Sequence, residues 1–191
     1  DVAPSRGLGD VYKRQEIMTE VISVYDDGVR LDIPFEACVL YHGRDSIGGL
    51  SLGYRLLRFA LNKLTDGRIP ERKEITFKTA FPGPGLRDAV EMTTRAVTRK
   101  AYEVLENAPE GTPEGVYGHM YFEITVGSRT LCCALKPGVL PEEFVQTGRA
   151  IKKGNYSEQD ARHWREQKDA LSEAIWNIPN FEDVLSFSMK E

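Results

Sequence analysis

Apolar residues recur along this chain with two periods, and the places where one period gives way to the other mark its elements. In EVISVYDDGVRLDI, residues 20–33, alternation on both sides of Asp27-Gly28 predicts two short strands joined by a tight hairpin. The next segment, PFEACVLYHG, carries Phe35, Val39 and either Cys38 or His42 at helical spacing, which predicts a short helix opened by Pro34 and closed by Gly43. Leu50, Tyr54, Leu57, Leu61 and Leu64 then recur in steps of four and three, with Arg55, Arg58 and Asn62 on another face. That is the stripe of an amphipathic helix.

KEITFKTAF alternates again, with Ile75, Phe77, Thr79 and Phe81 on one side, and PGPG stops the strand. Leu86, Val90, Val97, Ala101 and Leu105 predict a helix over 86–106 that fades into NAPEGTPEG. In VYGHMYFEITV, Met120, Phe122, Ile124 and Val126 alternate with His119, Tyr121, Glu123 and Thr125, and Gly127-Ser128 turns this strand into RTLCCAL as a second hairpin. Helices follow near 141–152 and 157–177, the second carrying Ala161, Trp164, Leu171 and Ile175, before a terminal FEDVLSFSM. No repeat and no long linker divides the pattern. The expectation is one α+β domain, a mixed sheet of about five strands flanked by several helices.

Residues 1–15, DVAPSRGLGDVYKRQ, show no apolar period, and the first methionine is Met18. SRGLGDVYKRQ resembles the translated adaptor read-through found at the ends of open reading frames from metagenomic data. It is set aside as a non-native leader, leaving 16–191 as the domain. With 191 residues the chain is long enough to bury a core without covalent staples. A formal charge of -4 and the absence of any Lys/Arg run argue against nucleic acid as a partner. Cys38, Cys132 and Cys133 are an odd number without CxxC spacing, which argues against a disulfide framework and for a reducing cytoplasm. No apolar run approaches the ~20 residues of a membrane span.

Chemistry concentrates in YHGRDSIGGLSLGYR, residues 41–55. Gly48-Gly49 ahead of a helix can leave backbone N–H groups exposed at the positive end of its dipole, where an anion or a polar ligand atom is favoured. Plain turn chemistry explains the same pair. His42 can act as a base or ligand, or simply cap helix carbonyls. Arg55 can clamp a carboxylate or phosphate, or lie on a solvated face. Ser46 with His42 four residues away suggests a nucleophile and base, but no third group is identifiable, and an N-cap role for Ser46 is the plainer reading. His119 on the polar side of its strand, the buried cysteines and the two tryptophans read first as structural.

HGRDSIGGLSLGYR resembles the signature of the FmdE family of formylmethanofuran dehydrogenase accessory proteins, in which HGHxCPG is followed within a few residues by GxR at the start of a long helix. Downstream, TAFPGPGLRDAVEMTTR stands where that family has a strand, a cysteine-bearing loop and an acidic residue opening a second helix, so Asp88 matches the acidic position. The likeness spans about residues 34–187, and the matched positions are His42, Gly43, Gly53, Arg55 and Asp88. The resemblance implies an accessory role beside a molybdenum- or tungsten-dependent enzyme rather than the redox chemistry itself.

Four departures change that picture. Arg44 stands where the family has its second histidine, Ser46 replaces the cysteine, Ile47 replaces the proline, and the spacing is one residue longer. His42 alone supplies one of the three or four ligands that zinc and similar ions take, so no metal site is expected. The cofactor is left unassigned. The expected site joins His42, Arg44, Ser46, Gly48, Gly49, Arg55 and Asp88 in a pocket where the Gly48-Gly49 helix start meets the 81–88 turn, taking a small anionic or polar molecule. Two readings share that pocket: a non-catalytic accessory or sensor protein, and an enzyme that uses His42, Arg55 and Asp88. A homodimer is carried as a further expectation.

Overall fold

Tyr54 ties the first hairpin to the helical layer. The computed structural model of the protein describes residues 20–191, so the leader expected over 1–15 and Met18 lie outside the described residues. Strands β1 (Val21–Asp26) and β2 (Val29–Pro34) pair antiparallel, Val21 opposite Pro34 and Asp26 opposite Val29. Their turn places both Asp27 and Gly28 at positive φ, 50° and 77°, the backbone that a two-residue hairpin of matching twist requires. The Tyr54 hydroxyl donates to the Ile33 carbonyl oxygen at 2.7 Å and accepts the Ile22 N–H at 3.1 Å. With its ring fully buried, the hydroxyl needs both partners.

Helix α1 (Phe35–His42) follows β2 directly, and the Gly43 N–H closes it on the Val39 carbonyl at 2.7 Å. Helix α2 (Ile47–Thr65) runs through the centre of the molecule, with Leu50, Tyr54, Leu56, Leu57 and Ala60 all fully buried. Its buried face packs against α3 (Pro84–Thr94), α5 (Glu158–Trp176) and strands β5 (Tyr121–Val126) and β6 (Arg129–Leu135). The remaining elements are β3 (Ile75–Thr79), β4 (Tyr102–Val104), α4 (Glu142–Lys152) and β7 (Leu185–Lys190). The main sheet is ordered β4-β3-β5-β6-β7, parallel only between β3 and β4. Among the described residues this makes a five-stranded mixed sheet, a separate hairpin and five helices in one α+β domain. Ile75, Phe77, Phe122, Ile124 and Leu131 turn the inner sheet face toward α2, and all are fully buried.

The structure corrects the expected helix over 86–106, which ends at Thr94. The Thr93 and Thr94 hydroxyls bond back to the Ala89 and Val90 carbonyls at 2.7 and 2.6 Å, Arg95 takes a left-handed φ of 59°, and the Glu91 carboxylate accepts the Thr98 N–H at 3.1 Å. Side chains that capture the backbone this way end a helix that the apolar period alone would continue. Tyr102 then stacks on Phe77, rings 5.8 Å apart and 7° from parallel, as β4 joins the sheet edge. The terminal FEDVLSFSM forms a short 3-10 turn, Phe181–Val184, and then β7, which pairs antiparallel with β6.

Candidate functional site

Three close approaches govern the stretch that holds the expected site. Helix α2 begins at Ile47, so Gly48 and Gly49 lie inside its first turn and not ahead of it, and Ser46 is the N-cap residue without a side-chain cap bond. A Cβ on Gly48 would stand 2.8 Å from Leu171 Cδ2, and one on Gly85 would stand 2.4 Å from the Ser46 carbonyl oxygen. Gly53 is similarly closed in, with Ala89 Cβ at 3.0 Å and Leu86 Cα at 3.1 Å from a Cβ placed there. The glycines therefore let α2, α3 and α5 approach backbone to backbone or side chain.

Where those helix starts meet, they leave a cleft of about 100 Å³. One wall is Ser46, Gly48 and Gly49 from the start of α2, facing Phe81, Gly83, Pro84 and Gly85 from the turn into α3. The other walls are apolar: Met120 and Leu135 from the sheet, Val139, Leu140 and Phe144 before and in α4, and Trp164, Leu171 and Ile175 from α5. Phe144 and Trp164 lie 4.5 Å apart at a tilt of 42°. The charged lining consists of Lys168 and Asp45. Lys168 Nζ lies 3.0 Å from Asp45 Oδ1 and 5.6 Å from the centroid of the Trp164 ring. The two sides of this pair differ greatly in exposure, 11% for the lysine side chain and 88% for the aspartate. An ammonium on a buried stem is fixed in place, and its exposed partner is not.

His42 and Asp88 form a pair of their own. His42 Nδ1 is 2.7 Å from Asp88 Oδ2, with side-chain exposures of 9% and 20%, and Arg87 donates to the other carboxylate oxygen at 3.0 Å. A carboxylate on Nδ1 favours the tautomer with the proton there and leaves the Nε2 lone pair free. Nε2 is buried and unpartnered, as is the Tyr102 hydroxyl. Burial pushes the Tyr102 phenol up to about 12, with the Asp88 charge adding to the rise against Arg87. Neither His42 nor Asp88 is among the walls of the cleft.

The other expected residues are elsewhere. Arg44 donates to Asp169 at 3.0 Å on the open surface. Arg55 donates through one nitrogen to the Ile175 and Ile178 carbonyls, at 2.6 and 2.7 Å, with its guanidinium carbon 5.1 Å from the Phe181 ring. It borders a separate polar groove of about 530 Å³ with Arg30, Arg58 and Arg68. The seven expected positions thus divide into cleft wall (Ser46, Gly48, Gly49), half-buried dyad (His42, Asp88), helix terminus (Arg55) and surface (Arg44). Sequence reasoning missed Lys168, although it falls on the stripe Trp164, Lys168, Leu171, Ile175, where a cation among apolar positions was the available signal.

A metal of the kind the family resemblance implies would find His42 and Asp88 here, while the cysteines lie apart at Cys38, Cys132 and Cys133. Among the described residues no three His, Cys, Asp or Glu side chains are grouped to hold an ion. The donors present do not fit such a group. No described helix is long and apolar enough to cross a membrane. The sequence matches none of the models of known protein families and no curated protein significantly.

Proposed function

We propose that this chain is a small-ligand-binding protein with an accessory role, whose site is the cleft between the starts of α2 and α3. The supporting observation is the cleft itself: apolar walls from five segments of chain converge on one mostly buried lysine, the composition of a pocket that orients a small organic molecule. The two helix starts add partial positive charge to the same opening, so a polar or anionic end is favoured. On the strength of the sequence resemblance, we place the protein in the cytoplasm beside a molybdenum or tungsten enzyme, without the family's metal. Filling the cleft tests the reading: Leu140→Trp should abolish binding of small organic ligands detected by titration of the wild-type protein, with the melting temperature retained. Equal binding by both proteins would move the site elsewhere.

His42 and Asp88 favour a second reading, an enzyme in which His42 Nε2 takes a proton from substrate while Asp88 orients the ring. The buried, unpartnered Nε2 is the observation behind it. Turnover that is lost in His42→Ala and retained in Leu140→Trp would select this reading over the first. The homodimer is proposed on the surface of α1, an apolar helix that leaves Leu40 84% and Tyr41 51% exposed. Monomer mass in sedimentation at micromolar concentration would contradict it.

A further inference from the structure

Lys168 stands out in the cleft because nothing in the core requires a cation at that point. Its stem is buried between Trp164 and Leu171 along α5, and its ammonium meets the carboxylate of Asp45, a residue of the loop ahead of α2 whose side chain is almost wholly in water. An ion pair with one freely solvated partner is weakly held, because that partner loses little on swinging away. The lysine, by contrast, is only 9% exposed and lines the cleft, so it stays in place when its partner leaves. An incoming carboxylate could therefore replace Asp45 at Nζ, and anything attached to that carboxylate would lie against Phe144, Trp164, Leu140 and Val116.

We propose that the ligand is a monocarboxylate with an apolar body the size of one aromatic ring or a short acyl chain, its acid group on Lys168 and its body in the cleft. This rests on the cleft being the binding site, as proposed above, and adds the class of molecule. Charge follows from the single buried cation. The volume sets an upper bound on size: a closed apolar cavity of about 150 Å³ accommodates a benzene, and the cleft at about 100 Å³ is smaller, so a single ring or short chain fits only with its edge and acid group in the open side. A second acid group would have no counterpart, since Lys168 is the one cation among the described walls. An amine would have to compete with Lys168 for Asp45 and is disfavoured by the same charge.

Phenylacetate, 2-phenylethanol and 2-phenylethylamine share one ring and differ in the head group, so calorimetric titration of the three separates class from site. The wild-type protein should bind phenylacetate at least tenfold more tightly than the alcohol, and the amine least. Lys168→Met, which keeps an apolar stem of similar length, should remove that preference while leaving the alcohol within about twofold of wild type, and Lys168→Arg should restore part of it. Equal affinity for acid and alcohol, unchanged in Lys168→Met, would overturn the class and leave the cleft as the site. Tighter binding of the amine would assign the charge to Asp45 and overturn the class as well. Failure of all three to bind the wild type would overturn both the class and the cleft. Melting curves of each variant show that it is folded before its affinities are compared.

Discussion

Arg55 reaches the end of α5 and goes no further. Its guanidinium closes the Ile175 and Ile178 carbonyls, and burial lowers its pKa from the usual arginine value by disfavouring the charge. Hydrogen bonds to a charged donor contribute about 1.5 to 3 kcal/mol each when a buried acceptor would otherwise be unpaired. Because one nitrogen of a half-buried side chain serves both carbonyls, the two bonds do not add in full, and Arg55→Ala should lower the unfolding free energy measured in urea by about 2 to 3 kcal/mol. A loss below about 0.5 kcal/mol, the level of an ordinary surface change, would return Arg55 to a role in ligand binding. Cys38 gives a second residue-scale prediction. Burial raises its thiol from 9.0 to about 12, so between those values the unfolded chain releases a proton that the folded chain keeps. Stability on this account is complete below pH 9.0 and falls as pH rises toward 12. In that window Cys38→Ala should flatten the decline by about 1.4 kcal/mol per pH unit. An unchanged slope would show that the thiol is accessible.

Close packing of α2 on α3 belongs to the scale of elements. A methyl group at Gly53 would meet Ala89 and the Leu86 backbone, neither of which can yield without moving a helix. Gly53→Ala should cost about 1 to 3 kcal/mol by overpacking, whereas Arg58→Ala, whose side chain pairs with Glu20 at the half-exposed surface, should change stability by about 0.5 kcal/mol or less. If Gly53→Ala stabilised the protein, helix propensity rather than contact would govern the position. At this scale most of the fold was legible from period alone: both hairpins, α1, α2, α4 and α5 fall where alternation and the 3.6-residue stripe place them. The exceptions have physical causes. Val97, Ala101 and Leu105 continue the apolar period of α3, but Thr93, Thr94 and Glu91 use their oxygens to end it, a competition that spacing cannot register. In LSFSM the alternation of Leu185, Phe187 and Met189 with serines was present, but its pairing with Leu135, Cys133 and Leu131 is a long-range fact. The site was legible in part for the same reason. The meeting of residues 46–49 with 81–85 followed from two glycine-rich helix starts, while Lys168 lies more than a hundred residues beyond the first of them and enters the cleft only through the packing of α5 on α2.

On the scale of the whole molecule, the helical layer does two separate things. Its centre is a dense core around α2, sealed by Tyr54 to the hairpin and by the Ser51 hydroxyl, which lies 2.7 Å from Ser172 Oγ and accepts the Trp176 indole N–H at 3.1 Å. Its margin, where α4 and α5 close over the sheet edge and the two helix starts, leaves the cleft. The dyad of His42 and Asp88 stands outside those walls, so ligand binding and any proton transfer at Nε2 are separable by mutation. A ligand held only by the folded state stabilises it by about 2.7 kcal/mol at a hundred times its dissociation constant. Titration of phenylacetate into the wild-type protein, Leu140→Trp and His42→Ala decides whether the cleft or the dyad is the binding site. Binding should be lost in Leu140→Trp and unchanged in His42→Ala; binding retained in Leu140→Trp and lost in His42→Ala would place the site at the dyad instead.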